Sequence, residues 1–375
     1  MKTAAAKILV ALIRIIFFFM KPLKIKNKVS MFSRQSNTLS ADFRIIKNWI
    51  ENERPNTEIC VMVKMIEGHA LSYPFHIIRQ LYHIATSRLV IIDGYCIAAS
   101  CLDHKEETKV IQIWHAQAAI KRFGWQTVGK PSGNSEAIAR TMRMHSNYDY
   151  VTVPSRFTME VFADAMKTDP DRFVYSYQPH LYDILKRKDE IREKILKRYD
   201  IDNGSKTILY APTFRRNKTV SCMELIGSLD LDDVNFIFKP HPLDHSKGLG
   251  EERVIDARND SIFELIAASD VVITDYSSII VEALALDKEL YIYDYDIDEY
   301  KNDPGLNIEF TDETCGQYVS KDPAVICAMI NEEYDHSRMD QLKRMLLMDE
   351  EMVNDTDDIN IKKLIFSVID SRQGS

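Results

Sequence analysis

The stretch VVITDYSSIIVEALALD, residues 271–287, constrains the fold of this chain more than any other. Val271–Thr274 is a β-branched run that reads as a short buried strand. Asp275-Tyr276-Ser277-Ser278 follows with turn and helix-capping chemistry, and residues 279–286 then alternate on a helical period. Strand, turn and helix in that order form the unit of an open α/β sheet, which binds ligands at the carboxyl ends of its strands. A helix start at that place offers free N–H groups and the positive end of a dipole, a seat for phosphate. Ser278 and Glu282 are four residues apart and share one helical face, so a hydroxyl and a carboxylate would hold the two ends of a ribose phosphate. An ordinary capped helix with a solvated glutamate fits the same residues equally well.

The alternation extends over the whole chain. Apolar runs at residues 29–32, 59–65, 89–92, 110–114, 150–153 and 173–177 read as strands, with helical patterns at 42–53, 75–85 and 155–166 between them. Ser155 opens the last of these as a helix start. A charge-rich segment, 182–206, ends in Asp202-Asn203-Gly204-Ser205 and holds the domain boundary in or near it. A second alternating set follows at 207–210, 235–238, 253–255, 271–274 and 290–293. The 375 residues suffice for two α/β domains. The expected fold class is therefore α/β, with two Rossmann-like domains facing each other across a cleft. The expected bounds are 1–27 for an N-terminal segment, 28–185 and 186–345 for the two domains, and 346–375 for a helical tail.

Net charge is −8, which argues against a general nucleic-acid binder. The charge is uneven: residues 1–41 carry eight Lys and Arg and no acid. Within them lies ILVALIRIIFFFM, residues 8–20, flanked by lysines. It is shorter than the roughly 20 residues that span a bilayer, Arg14 interrupts it, and no small-x-small cleavage site follows. An interfacial helix lying on an anionic membrane surface is expected; a helix buried against the first domain is the alternative. The six cysteines form no CxxC pair and no zinc spacing, and read as reduced thiols of a cytosolic protein.

Four places carry chemistry. His115 stands just past a strand end, with Lys121 and Arg122 one to two turns later; it is a candidate proton carrier with cations for an anionic substrate, or a capping histidine with surface cations. In ILYAPTFRR, Arg215 follows a strand and a Pro-Thr turn and has the planar fork that grips phosphate, although a surface arginine fits as well. In FIFKPHP, Lys239 and His241 are two apart at a strand end, and prolines on both sides of His241 fix its backbone. Asp294-Tyr295-Asp296 mimics a metal-binding DxD but reads at least as well as a turn, and no metal site is expected. GxSxG, Walker A and GxGxxG patterns are absent, so hydrolase, P-loop kinase and dehydrogenase readings lack their signatures.

Taken together, these pieces resemble the CDP-glycerol glycerophosphotransferase family, the teichoic-acid primases and polymerases of Gram-positive bacteria. The resemblance rests on Trp114-His115 with Lys121 and Gly124, Ser155-Arg156-Phe157, Ala211-Pro212-Thr213-Phe214-Arg215, Lys239-Pro240-His241-Pro242, and Thr274-Asp275-Tyr276-Ser277-Ser278 with Glu282, in consistent order. It implies a GT-B fold and transfer of glycerol phosphate or ribitol phosphate from a CDP-polyol to a hydroxyl of a lipid-linked acceptor, releasing CMP. It also implies work at the cytoplasmic face of the membrane, as a peripheral protein, with no cofactor beyond the CDP-polyol substrate and no nucleic acid. The first domain would take the acceptor and the second the CDP donor. His115 and His241 map onto the two motif histidines, with His115 as base toward the acceptor hydroxyl. His241, Lys239 and Arg215 would face the pyrophosphate. Ser277 and Ser278 would hold phosphates, with Thr274 and Asp275 in the same donor-binding set, and Glu282 would bind ribose. Lys121 and Arg122 would hold acceptor phosphate. Two departures stand out: Ala116 replaces the usual glycine, and Tyr300 leads to Asp303-Pro304-Gly305 in place of an Arg-Gly. Two rival readings share these residues: a GT-B glycosyltransferase using a nucleotide sugar, and a non-catalytic membrane-bound assembly protein.

Overall fold

The computed structural model describes residues 2–66, 72–215, 222–241, 244, 252–315, 317–348 and 359–371. Pro242 and Arg216, named above, lie outside them. The chain divides into two compact units, Met1–His180 with Glu350–Ser375, and Leu181–Asp349.

In the first unit the order is α1 (Lys2–Met20), β1 (Lys26–Ser33), α2 (Ala41–Glu53), β2 (Glu58–Val63), α3 (Tyr73–Thr86), β3 (Ser87–Ile92), α4 (Ile97–Ser100), β4 (Lys109–Gln112), α5 (Glu136–Thr141), β5 (Tyr150–Val153), α6 (Arg156–Met166) and β6 (Phe173–Tyr175). The six strands form one sheet in the order β2-β1-β3-β4-β5-β6, and every pair is parallel. Strand residues alternate between two cores, as a doubly covered sheet requires. Val29, Met31, Leu89 and Ile91 face α2; Phe32, Val90, Ile92 and Val110 face α1, α3 and α6. Ser155 caps α6, its side chain accepting the Thr158 N–H at 3.1 Å.

Helix α7 (Pro179–Tyr199) follows, with non-helical angles at Arg187, which pairs with Asp183 and Glu190 on either side. Most of the charge-rich segment 182–206 is thus a helix.

The second unit contains β7 (Lys206–Tyr210), α8 (Met223–Ile226), β8 (Val234–Phe238), β9 (Val254–Asp256), α9 (Ile262–Ala268), β10 (Val271–Thr274), α10 (Ile280–Ala285), β11 (Glu289–Tyr293), α11 (Ile297–Asn302), α12 (Asp312–Cys315), β12 (Val319–Ser320), α13 (Pro323–Ile330) and α14 (Asp340–Leu346). Its parallel sheet runs β12-β11-β10-β7-β8-β9. Read from the other edge this is the 3-2-1-4-5-6 order of a Rossmann sheet, whose ligand crevice opens where the order reverses. Here that point lies between the carboxyl ends of β7 and β10.

The tail helix α15 (Asn360–Asp370) returns to the first unit. Ile361, Ile365, Val368 and Ile369 complete the core beside α2. Arg54 grips Asp370 through two nitrogens, at 2.8 and 2.6 Å.

Helix α1 is longer than its apolar run, because Ala4, Ala5 and Ala6 are strong helix formers. By length and composition alone it could cross a membrane. One face nevertheless docks on the first unit: Val10, Ile13 and Phe17 are buried, and Arg14 donates to the Cys101 carbonyl at 3.0 Å. The other face, with Ile8, Leu12, Ile15, Phe18 and Phe19, is exposed. The two sequence expectations therefore describe opposite faces of one helix.

Candidate active site

In the first unit the site is organised by a turn. The expected strand at 110–114 stops at Gln112, because Trp114 takes a left-handed backbone, φ +59°. A bulky residue there is strained and needs support from its surroundings. Buried Gln112 supplies it: its Oε1 accepts the Trp114 N–H at 2.9 Å and its Nε2 donates to the Gly94 carbonyl at 3.0 Å. Gln178 holds the same segment by donating to the Ile113 carbonyl at 3.0 Å.

This turn presents His115. Its Nδ1 lies 3.0 Å from the Asp93 carbonyl oxygen, which can only accept, so Nδ1 carries the proton. The Gln35 amide nitrogen, Nε2, lies 3.2 Å from the same His115 nitrogen. Among the described residues Nε2 makes no hydrogen bond to protein, and its lone pair is available. Crowding by protein pulls the His115 pKa down to about 4 against the Asp93 carbonyl, with Arg34 adding to the fall. The side chain is nevertheless exposed to solvent. The imidazole is therefore neutral at neutral pH, as a general base must be.

Behind the turn, Trp114 packs on His115 and Phe123 with ring centroids 4.5 and 4.6 Å apart, and His145 and Phe162 close the cluster. Gly124 ends the segment at φ +55°; a Cβ there would lie 2.3 Å from the Ala165 carbonyl oxygen, so no other residue fits without movement. Lys121 is half-buried and Arg122 exposed on the irregular segment between His115 and Gly124. Arg156 is exposed and pairs with Glu160.

In the second unit the site lies at the switch point. Thr274 is buried and its hydroxyl donates to the Ala211 carbonyl at 2.7 Å, tying the ends of β10 and β7 together. Asp275 accepts the Thr213 N–H at 3.0 Å and the Thr213 hydroxyl at 3.0 Å. Arg215 is buried between two carboxylates, reaching Asp275 at 2.9 Å and Asp296 at 2.6 and 2.9 Å. Its remaining nitrogen donates to the Thr213 carbonyl at 3.0 Å and also contacts the Thr213 hydroxyl. All five guanidinium N–H groups are thereby engaged by the protein. Burial alone would lower the Arg215 pKa, but the Asp296 hydrogen bonds and the Asp275 charge outweigh it and hold the group charged. The sequence expectation of a phosphate-gripping fork meets an ion-pair cluster instead: gripping phosphate would require one of these bonds to break.

Asp296, weighed from the sequence only as part of a DxD-like turn, is the partner that sequence reasoning did not assign to Arg215. Its Oδ1 also lies 3.3 Å from the Tyr276 hydroxyl, which donates to the Asp294 carbonyl at 3.1 Å. Tyr276 stacks at 4.6 Å on Tyr300, and Tyr300 covers the Arg215 guanidinium at 4.6 Å. Asp275 and Tyr276, the two residues before the serine pair, are thus pinned from both sides. The available signal was position: Asp296 follows β11, the neighbour of β10 in the sheet.

Ser277 and Ser278 are half-buried. The helix begins one residue later than expected, at Ile280, and no side chain caps it. The serines form the turn ahead of the helix, with Val281 N–H bonded to the Ser278 carbonyl at 3.1 Å. Glu282 is buried on α10, not solvated. Past β8, Lys239 is buried and its ammonium donates to the Arg258 carbonyl at 2.5 Å. Burial lowers its pKa, opposed by Asp260 and Asp256. His241 is half-buried, its ring 5.6 Å from that of Phe214.

Two Rossmann-like units, one presenting a neutral histidine at a strand end and the other a serine turn at a switch point, place the chain in the GT-B-like fold class. The chain belongs to the CDP-glycerol:poly(glycerophosphate) glycerophosphotransferase family, whose profile matches residues 13–367. It is 29% identical over 314 residues to the teichoic acid ribitol-phosphate primase of Bacillus spizizenii, covering 79% of this chain and 80% of that protein. To the teichoic acid glycerol-phosphate primase of Bacillus subtilis it is 31% identical over 242 residues, 62% of each chain. Its fold matches the wall teichoic acid polymerase TagF with a TM-score of 0.73 at 20% identity, over 92% of this chain and 90% of that one.

Proposed function

We propose that this chain transfers glycerol phosphate or ribitol phosphate from a CDP-polyol to a hydroxyl of a lipid-linked acceptor in teichoic acid or related cell-wall polymer synthesis. The acceptor oxygen bonds to the phosphorus that carries the polyol, the bond from that phosphorus to the CMP oxygen breaks, and CMP leaves. His115 Nε2 takes the acceptor's proton. The observation that carries this reading is the Nδ1 bond to the Asp93 carbonyl, which leaves a neutral ring with a free lone pair at Nε2.

The second unit holds the donor. Ser277, Ser278 and the N–H groups of their turn meet the phosphates, His241 steadies charge on the pyrophosphate, and Glu282 meets the ribose. Thr274, Asp275 and Arg215 act by fixing that turn, and Lys239 by fixing the segment that carries His241. Lys121 and Arg122 favour an anionic acceptor. Phosphoryl transfer asks mainly for positioning and charge stabilisation, and this arrangement supports direct transfer without a covalent intermediate. The exposed face of α1 rests on the membrane from the cytoplasmic side, where a lipid-linked acceptor is within reach.

The test is CMP release from CDP-glycerol and from CDP-ribitol, measured separately with a membrane extract as acceptor. Release from one donor, lost in His241→Ala, is expected. Turnover of a sugar nucleotide instead, or CDP binding with no CMP release from either donor, would overturn the proposal.

A further inference from the structure

Twelve large hydrophobic side chains are exposed among the described residues, and ten of them fall in residues 8–23 and 66–82. Five are on the outward face of α1. Three more, Phe75, Ile78 and Tyr82, recur at helical spacing along α3, with exposures of 71%, 38% and 40%. The opposite face of α3, with Ile77, Leu81 and Ile84, packs into the same core as Ile13 and Phe17 of α1. The two helices are packed neighbours, and each turns a second apolar stripe outward. Neither helix contains an acidic residue, although the chain as a whole is acidic. Lys7, Lys21 and Lys24 on or beside α1, and Arg79 on α3, are exposed around the stripes.

We infer that α3 is a second membrane-contact element, and that α1 and α3 together form one two-helix surface that seats in the headgroup region of an anionic bilayer. This rests on the peripheral membrane reading given above and extends it to a helix some fifty residues further along the chain. An outward apolar stripe flanked by cations, on helices that carry no acid themselves, fits an anionic lipid surface, with Asp103 beside Lys21 the acid that faces α1: the apolar side chains enter the acyl boundary and the cations stay at the phosphates. The docking of α1 on α3 and the Arg14 bond to Cys101 favour a helix pair lying flat over a single helix spanning the bilayer. Two helices also bind more firmly than one, because their apolar areas add while the loss of rigid-body freedom is incurred once.

The experiment is flotation of the full chain with vesicles of phosphatidylglycerol and phosphatidylethanolamine, and with vesicles of phosphatidylcholine alone. The variant Phe75→Ser/Ile78→Ser/Tyr82→Ser leaves α1 untouched and alters only exposed positions. Its binding to anionic vesicles is expected to fall at least about tenfold, with circular dichroism unchanged. As a readout independent of affinity, the fluorescence of Phe75→Trp should be quenched by lipids brominated on the acyl chain. If the triple variant binds like wild type while Ile8→Ser/Leu12→Ser/Ile15→Ser does not, α1 alone contacts lipid and the inference fails, with the membrane reading intact. A wild-type protein that floats with neither vesicle defeats both. Loss of dimers, rather than of vesicle binding, in the triple variant would show that the stripe joins two copies and overturn the inference.

Discussion

The candidate residues of the two units solve opposite electrostatic problems. The first unit keeps its key group neutral: His115 is crowded by protein and bonded to a backbone carbonyl, and no carboxylate side chain contacts it among the described residues. The second unit keeps its key group charged: Arg215 is buried between Asp275 and Asp296, with every N–H engaged. A base must retain a free lone pair, so its partners are few and uncharged. On the proposed reading, a turn that binds phosphate must be rigid before the ligand arrives, which a fully bonded anchor supplies. Residue type alone suggests the reverse, with arginine as the ligand and aspartate as the acid.

The largest expected effect breaks the first half. His115→Ala should lower the rate of CMP release by about 10²–10⁴ while CDP binds as in wild type, as checked by calorimetry. In the second half, Arg215→Ala leaves two buried carboxylates facing each other and should cost about 3–5 kcal/mol in chemical denaturation. Asp296→Asn keeps the shape but removes one carboxylate. It should weaken CDP binding by about tenfold with a smaller change in the rate at saturation, and its effect should not add to that of Arg215→Lys. Gly124→Ala drives a methyl into the Ala165 carbonyl and should destabilise the first unit by about 1–3 kcal/mol.

The smallest effect is on pH dependence, and it sharpens the contrast. Burial lowers the pKa of His76, His83, His104 and His145, all in the first unit, with His83 at about 4 and His145 at about 3. The unfolded chain takes up protons near pH 6.5 that the folded unit refuses, so this stability is full above 6.5 and is lost as pH falls toward 4. Asp93 runs the other way: burial raises its carboxyl to about 7, so its contribution is lost as pH rises from about 4 to 7. With four groups against one, thermal denaturation should show net loss of stability on acidification through that window. The kcat/KM profile should stay flat down to about pH 5, well below the break an ordinary histidine gives.

Much of the fold was legible because it is local. Strand β10 has the bounds its β-branched run predicts, and Ser155 caps α6 as its sequence indicates. Five of the six second-unit strands lie within a residue or so of their apolar runs, while the two-residue β12 went unread. The site was legible only in part, because its decisive contacts are distant in sequence. Asp296 is 81 residues from Arg215, and Asp93 is 22 from His115. The Trp114 turn was invisible because an apolar residue after a strand looks like more strand; only the Gln112 amide reveals why it bends. The serines were placed as caps because Ser-Ser before an apolar run normally caps, whereas here the turn is fixed by Asp275 and Tyr276 and the helix starts later. Helix α1 reads as either a membrane or a core helix because it is apolar on both faces, and burial alone separates them.

The most direct test of the account is single-turnover CMP release from a CDP-polyol, at saturating donor, by His115→Ala alongside the wild type. The account predicts that the variant binds the donor with unchanged affinity and releases CMP at least about a hundredfold more slowly. Release at a near-wild-type rate, or a parallel loss of donor affinity, would contradict the division of labour between a neutral base in the first unit and an ionically anchored donor turn in the second.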